Sequence, residues 1–201
     1  PEAAEAKERI ANQHALLEKY GLGDLPVIYS EYGWTASTST GVGEKEKARY
    51  IAQGMVINQD RFETVEIYNL ERKESYGDFE DKFGYVKNYQ EEIPYEPTPP
   101  FLSYATYNRF MTGTKNTQLI DFAGGVATVA VTDNDQGTKS LMAWSKKDNP
   151  DTDIAINVGT DKVTVADING NTPEIKTENG ILNMHVNQDP QYIIGDITSY
   201  E

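Results

Sequence analysis

The sequence of 201 residues contains no cysteine and only two histidines, His14 and His185. Disulfide bonds, thiol nucleophiles and metal sites with cysteine ligands are therefore excluded. The two histidines lie in different predicted elements, a helix and a strand, so we expect packing or surface roles for them. No glycine-rich phosphate loop and no nucleotide-binding fingerprint is present. We therefore expect neither a metal nor a cofactor.

Basic residues are scarce: 18 lysines and arginines stand against 32 acidic residues, giving a net charge of −14 and a pI of about 4.5. Such a surface repels phosphate, so nucleic acid and anionic membranes are excluded as expected partners. No apolar run approaches the roughly 18 residues of a membrane-spanning helix, and no signal peptide is visible. Because the chain opens on PEAAEAKERI without an initiator methionine, we interpret it as a piece of a longer protein.

Two patterns meet near residues 112–116. The first is a sequence of helices and strands in alternation, with helices predicted over residues 1–23, 44–58 and 99–113 and strands over 25–31 and 62–70. This rhythm predicts parallel strands in layers, and two strands are too few for a closed sheet. We therefore predict that residues 1–115 are the C-terminal portion of a (β/α)8 barrel.

The second pattern has a period of two residues and begins near Gln118. About seven short strands follow one another, separated by turn signals such as Asn179-Gly180. This spacing predicts that residues 116–201 form an antiparallel β-sandwich. The fold class is thus α/β followed by all-β. Trp144 lies within one of these strands, and we expect it to be a core residue rather than a platform for a sugar.

One stretch of the first part brings a carboxylate into a group of aromatic rings. The apolar run of LPVIYSEYGW, residues 25–34, ends at Glu31, with Tyr32 and Trp34 beside it. Barrel enzymes build their sites at the carboxyl ends of strands. Aromatic faces stack on sugar rings, and a carboxylate can attack an oxocarbenium-like centre. By contrast, the charged stretch EKEKAR, residues 44–49, is typical of the first turn of a helix, and we expect no function for it.

The stretch LPVIYSEYGW resembles the seventh strand of clan A glycoside hydrolases, which are retaining (β/α)8-barrel glycosidases. Residues 65–86 (VEIYNLERKESYGDFEDKFGYV) are similar to the eighth strand of that clan and the loop after it. Residues 95–113 resemble its last barrel helix. Residues 163–171 and 180–196 resemble the small β-sandwich that closes many of these enzymes. Together the four blocks cover nearly the whole chain in order.

The resemblance implies a role for four residues. Glu31 matches the nucleophile of a retaining double displacement, and Trp34, Tyr68 and Tyr32 are the candidates for substrate binding. Many clan members have tryptophan at the position of Tyr68 and aspartate at that of Asn69. A lysine that usually introduces the last barrel helix is absent from Thr98-Pro99-Pro100-Phe101. These departures leave the sugar and the subfamily open.

The acid/base glutamate of the clan follows the fourth strand, which would lie upstream of Pro1. We therefore expect the chain to act on a carbohydrate only as part of a longer enzyme, secreted or at a cell surface of bacterial type. Alone it should be inactive, and having lost the other barrel half it could self-associate. Two alternatives remain: a non-catalytic carbohydrate-binding or cell-surface module, and an accessory domain without a ligand.

Overall fold

The computed structural model describes residues 4–37, 39, 41–73, 77–149 and 151–200. Helices and two strands make up its first part: α1 (Ala4–Lys19), β1 (Ile28–Tyr32), α2 (Glu44–Asn58), β2 (Thr64–Ile67), the single turn α3 (Asp78–Asp81) and α4 (Pro99–Met111). None of these described helices is long and apolar enough to cross a membrane.

The two strands of the first part are parallel, as predicted. Ile28 lies opposite Thr64 and Tyr32 opposite Ile67, and the register shifts between Tyr29 and Tyr32. Within the described residues this sheet has two strands and forms no closed barrel. Because the strands are parallel, their carboxyl ends meet at one edge of the sheet.

Helix α2 begins and ends where the sequence predicts, because its apolar residues recur on one face. Ile51, Ala52 and Val56 are fully buried on that face. Helix α4 begins at Pro99 and Pro100, whose fixed backbone angle suits the first turn of a helix.

The second part consists of antiparallel strands: β3 (Lys115–Phe122), β4 (Ala127–Asp133), β5 (Lys139–Ser145), β6 (Thr152–Asn157), β7 (Lys162–Ala166), β8 (Glu174–Lys176), β9 (Ile181–Val186) and β10 (Gln191–Ile197). Six of them form one sheet in the order β3-β4-β5-β10-β7-β8, and β6 pairs with β9. Their facing sides enclose an apolar core that includes Leu141, Ile156, Leu182 and Ile193. Two antiparallel sheets thus pack face to face.

The other side of the six-stranded sheet packs against helices α2 and α4. Val56, Met111, Met142, Trp144 and Tyr192 form this second apolar core. Trp144 is fully buried, which confirms its predicted place in the core. Side chains of both parts contribute to this core. The division into two domains at residues 115 and 116 therefore stays a prediction.

The sequence pattern predicts neither strand β3 nor helix α3. Strand β3 is polar and mostly exposed, so its pattern carries no hydrophobic alternation. It is nevertheless held as an edge strand by β4, and Phe122 pairs with Ala127. With β3 the described strands of the second part number eight, where about seven were predicted. Helix α3 lies between residues 70 and 99, where the sequence pattern indicates neither a helix nor a strand.

Candidate functional site

Glu31 lies at the carboxyl end of β1 and is exposed. It lines an open cavity of about 680 Å³ beside helix α1. Arg9, Gln13, Tyr29 and Trp34 lie on the wall of the same cavity. A carboxylate in this position is accessible to a ligand and is flanked by aromatic rings and one guanidinium group.

The ends of β1 and β2 lie in direct contact. The amide of Tyr68 donates to the carbonyl of Tyr32 at 3.0 Å. A Cβ atom on Gly33 would come within 2.5 Å of the carbonyl oxygen of Tyr68. Only glycine therefore fits where the segments after β1 and β2 meet. This contact places Tyr68 and Trp34 at the same edge of the sheet as Glu31.

Tyr68 stands within a small polar and aromatic group. Its hydroxyl donates to Glu80 Oε2 at 3.3 Å, and the ammonium of Lys73 lies 3.4 Å from the same hydroxyl. The ring of Phe83 meets the ring of Tyr68 edge-on, with centroids 5.3 Å apart. The peptide bond between Tyr68 and Asn69 is cis. The half-buried ring of Tyr68 therefore has polar partners at its hydroxyl and a fixed aromatic neighbour at its edge.

A row of aromatic rings runs along the cavity and behind it. Tyr29 contacts Phe62 and Tyr32, with ring centroids 5.1 and 5.2 Å apart. Tyr32 then contacts Trp34 at 5.0 Å, and Trp34 contacts Tyr50 of helix α2 at 5.4 Å. Trp34 is half-buried and its ring contacts both Tyr32 and Tyr50, so part of the residue remains exposed.

Tyr32 is placed differently from the other three candidate residues. Only 9% of its surface is exposed, and its ring packs over Gly54 of α2. Burial, together with the neighbouring Tyr29, raises the pKa of its hydroxyl well above the usual value. The side chain thus joins β1 to α2, and direct contact of Tyr32 with a ligand stays a prediction.

The loops after β1 and β2 are joined into one rim above the site. Thr35 Oγ1 donates to the carbonyl of Phe79 at 2.5 Å, and the amide of Ala36 donates to that of Lys82 at 3.1 Å. Lys47 of helix α2 is fully buried and reaches the same rim. Lys47 lies in the charged first turn that the sequence predicts, and it is buried because the loop after β2 folds over it.

The described residues form no group of three or more histidine or acidic side chains that could hold a metal ion. His14 Nε2 lies 3.0 Å from the carbonyl of Arg61. His185 Nδ1 lies 2.8 Å from Asp153 Oδ1 on the outer face of β9. The two histidines are thus engaged in separate parts of the fold, in packing and surface positions.

Comparisons with known proteins rest on structure alone. No protein-family model matches the chain, and no curated protein matches it. A family 39 glycoside hydrolase from the gut symbiont Bacteroides cellulosilyticus WH2 has a TM-score of 0.74 at 21% identity, over 92% of this chain and 37% of that one. A glucosidase from Croceicoccus marinus has a TM-score of 0.62 at 10% identity, over 92% of this chain and 48% of that one.

The GH39 enzyme from Xanthomonas axonopodis pv. citri has a TM-score of 0.52 at 12% identity, over 96% of this chain and 49% of that one. This chain therefore spans 37% to 49% of the length of the three structures. At these identities the likeness shows a shared fold. It confirms the fold class, and the predicted resemblance in fold to part of a clan A glycoside hydrolase.

Proposed function

We propose that this chain is part of a retaining glycoside hydrolase that cleaves O-glycosidic bonds of a poly- or oligosaccharide. The observation that carries the proposal is the exposed carboxylate of Glu31 at the carboxyl end of a parallel strand, in contact with the end of the next strand. Layered α/β enzymes assemble their sites at this edge. The shared fold with three glycosidase structures supports the same assignment.

In this proposal Glu31 is the nucleophile. Its carboxylate attacks the anomeric carbon and forms a glycosyl ester, while the bond to the leaving oxygen breaks and that oxygen takes a proton from a second carboxyl group. Water then displaces Glu31 with the second group acting as base. The half-buried Trp34 can stack on the sugar, and the Tyr68 hydroxyl can form a hydrogen bond to it, which holds the anomeric carbon near Glu31.

The second carboxyl group must lie about 5 to 5.5 Å from the nucleophile in a retaining enzyme. We propose that a residue upstream of Pro1 supplies it. The ionised Glu31 alone cannot protonate an ordinary leaving oxygen, because that step needs a second, protonated carboxyl group. The 201 residues alone are therefore proposed to be inactive.

Hydrolysis of a panel of oligosaccharides, whose leaving oxygens must be protonated, tests this function. The protein extended by the upstream coding sequence should hydrolyse at least one of them, and Glu31→Gln should abolish the activity. Glu63→Gln is the matched control, because Glu63 is also exposed but lies before the amino end of β2, at the opposite edge of the sheet. Activity of the isolated chain, or full activity of the extended Glu31→Gln protein, would reject the proposal.

A non-catalytic carbohydrate-binding module is the second candidate, and one feature favours it. The outer face of β6 and β9 carries an open cavity of about 440 Å³ with Asp153, Asn183 and His185 on its wall. These side chains could bond to sugar hydroxyls. In affinity gels containing soluble polysaccharides, retardation that is lost with Asn183→Ala and kept with Trp34→Ala would favour this candidate.

We also propose that the parent protein is secreted or displayed at the surface of a bacterial-type cell. Polysaccharides too large to be imported must be cleaved outside the cytoplasm. Fractionation of the source cells with an antibody against this chain tests the location. Signal in the medium or the envelope fraction supports it, and signal confined to the cytoplasmic fraction contradicts it.

A further inference from the structure

Lys47 is fully buried, and no carboxylate among the described residues forms an ion pair with its ammonium group. Its Nζ donates to three backbone carbonyls, those of Lys82 at 3.2 Å, Phe83 at 2.5 Å and Gly84 at 3.1 Å. Since a lysine ammonium has three N–H donors and no acceptor, these three bonds satisfy it completely. Nζ also lies 4.7 Å from the centre of the Tyr85 ring, where a cation is attracted to the π face.

Burial of this charge is unfavourable, and an apolar side chain would fill the same space without that penalty. Burial lowers the pKa of Lys47 to about 8, so the group is still mostly protonated at neutral pH. The nearby Glu44 pairs with Arg72 rather than with Lys47. The charged group of Lys47 thus holds three consecutive backbone carbonyls, those of residues 82–84.

Those carbonyls belong to the segment that supports Tyr68. The ring of Phe83 packs against the ring of Tyr68, with centroids 5.3 Å apart. Gly84 presses against the backbone of the segment that follows Tyr68, because a Cβ atom there would lie 2.1 Å from the amide nitrogen of Arg72. Movement of residues 82–84 would therefore move both supports of Tyr68.

We propose that Lys47 is a positioning residue that fixes residues 82–84 and, through Phe83, the ring of Tyr68 at the edge of the site. It acts from helix α2 and needs no contact with the sugar. The relevance of Tyr68 to a carbohydrate rests on the proposed function, whereas the anchoring of the loop does not.

The absence of cysteine in the chain permits a sharp test. The thiol introduced by Lys47→Cys is alkylated in denaturant with 2-bromoethylamine, which releases bromide and restores an ammonium at nearly the native reach. A parallel sample is alkylated with 1-bromopropane, which gives a neutral group of the same length. Lys45→Cys, on the same turn with an exposed side chain, receives both reagents as the control.

Two measurements on the refolded chain report the outcome. Amide exchange of Phe83 and Tyr85 should be at least about tenfold faster in the propyl adduct and close to the wild-type rate in the aminoethyl adduct. The ¹⁹F resonance of 3-fluorotyrosine at Tyr68, assigned with Tyr68→Phe, should shift in the propyl adduct alone. Both adducts of the Lys45→Cys chain should match wild type.

Equal exchange and equal ¹⁹F shifts in the two Lys47→Cys adducts would overturn the proposal. If neither adduct refolds, nitrogen-15 spectra of the lysine ammonium groups in the wild-type chain give the answer. A slowly exchanging Lys47 signal is expected, and its absence at pH 6 would also overturn the proposal. A charge-dependent loop in a protein that hydrolyses no glycoside would instead reject the proposed function and leave the anchoring intact.

Discussion

Gly54 lies directly beneath the hydroxyl of Tyr32: a Cβ atom built on Gly54 would come within 1.7 Å of Tyr32 Oη. Glycine in the interior of a helix is unfavourable by about 1 kcal/mol relative to alanine. Helix α2 carries that penalty because no larger residue leaves room for the ring of Tyr32. The contact joins β1, the strand that ends beside Glu31, to the helix that follows it.

Replacement of Gly54 by alanine should therefore destabilise the protein in spite of the better helix propensity. We expect the free energy of unfolding to fall by roughly 1 to 3 kcal/mol, the usual range for overpacking a core. Urea denaturation measures this change. In a Tyr32→Phe background the same replacement should be less damaging, because the nearest atom is gone and the next lies at 2.8 Å. Strictly additive effects of the two substitutions would contradict the clash.

Much of the fold follows from local patterns, and the exceptions have physical reasons. The sequence predicts α2 because its apolar residues keep a helical period, and it predicts Glu31 at a strand end because the apolar run stops there. It does not predict β3, whose side chains are mostly exposed and which is held by backbone pairing with β4. It does not predict the burial of Lys47, because nothing in the helical pattern shows that a distant loop will offer the ammonium group three carbonyls.

Arg49 of α2 and Asp189, between β9 and β10, form a charged contact between the first and second parts. Arg49 Nε lies 2.5 Å from Asp189 Oδ1, and Lys45 lies 3.2 Å from the other oxygen. Since the Arg49 and Asp189 side chains are only about one fifth exposed, Asp189→Asn should lower the free energy of unfolding by about 1.5 kcal/mol, as for a charged hydrogen bond.

Chemical denaturation of Asp189→Asn tests this contact, with Glu174→Gln as the control. Glu174 pairs with Lys162 at 2.9 Å, but both side chains are mostly exposed, so that replacement should change stability by less than about 0.5 kcal/mol. Equal effects of the two substitutions would mean that the Arg49 contact contributes no more than an ordinary surface ion pair.

Tyr192 should make the protein sensitive to alkali. It is fully buried, and burial raises the pKa of its hydroxyl well above the usual value, with a smaller contribution from Tyr107. In the unfolded chain a tyrosine ionises near pH 10, whereas the buried Tyr192 hydroxyl keeps its proton. The protein therefore has its full stability with respect to Tyr192 below about pH 10 and loses stability as the pH rises further.

Guanidinium unfolding at pH 9, 10, 10.5 and 11 measures this loss. Tyr192→Phe should reduce the decline in the free energy of unfolding above pH 10 by up to about 1.4 kcal/mol per pH unit, the value for one proton. Tyr20→Phe, at a ring that is 68% exposed, is the control for removal of a hydroxyl. An unchanged decline with Tyr192→Phe would show that Tyr192 ionises equally in both states.

Exposed apolar side chains in and before strand β1 should make the isolated chain self-associate. Leu25 and Ile28 are exposed, and one edge of β1 pairs with no strand in the described part of the chain. Light scattering after size exclusion should give a mass that rises with concentration, and Ile28→Lys should lower it. Ile181→Lys, at an exposed residue of the sandwich, should not. A clean monomer at every concentration would contradict this prediction.

The most direct test of the central claim is to trap the nucleophile. The protein extended by the upstream coding sequence is incubated with 2-deoxy-2-fluoro glycosides that carry dinitrophenyl leaving groups, and the labelled peptide is identified by mass spectrometry. We predict one fluorosugar on the peptide that contains Glu31, none after Glu31→Gln, and an unchanged label after Glu63→Gln. A label on any other carboxylate, or undiminished labelling of the Glu31→Gln protein, would show that Glu31 is not the nucleophile.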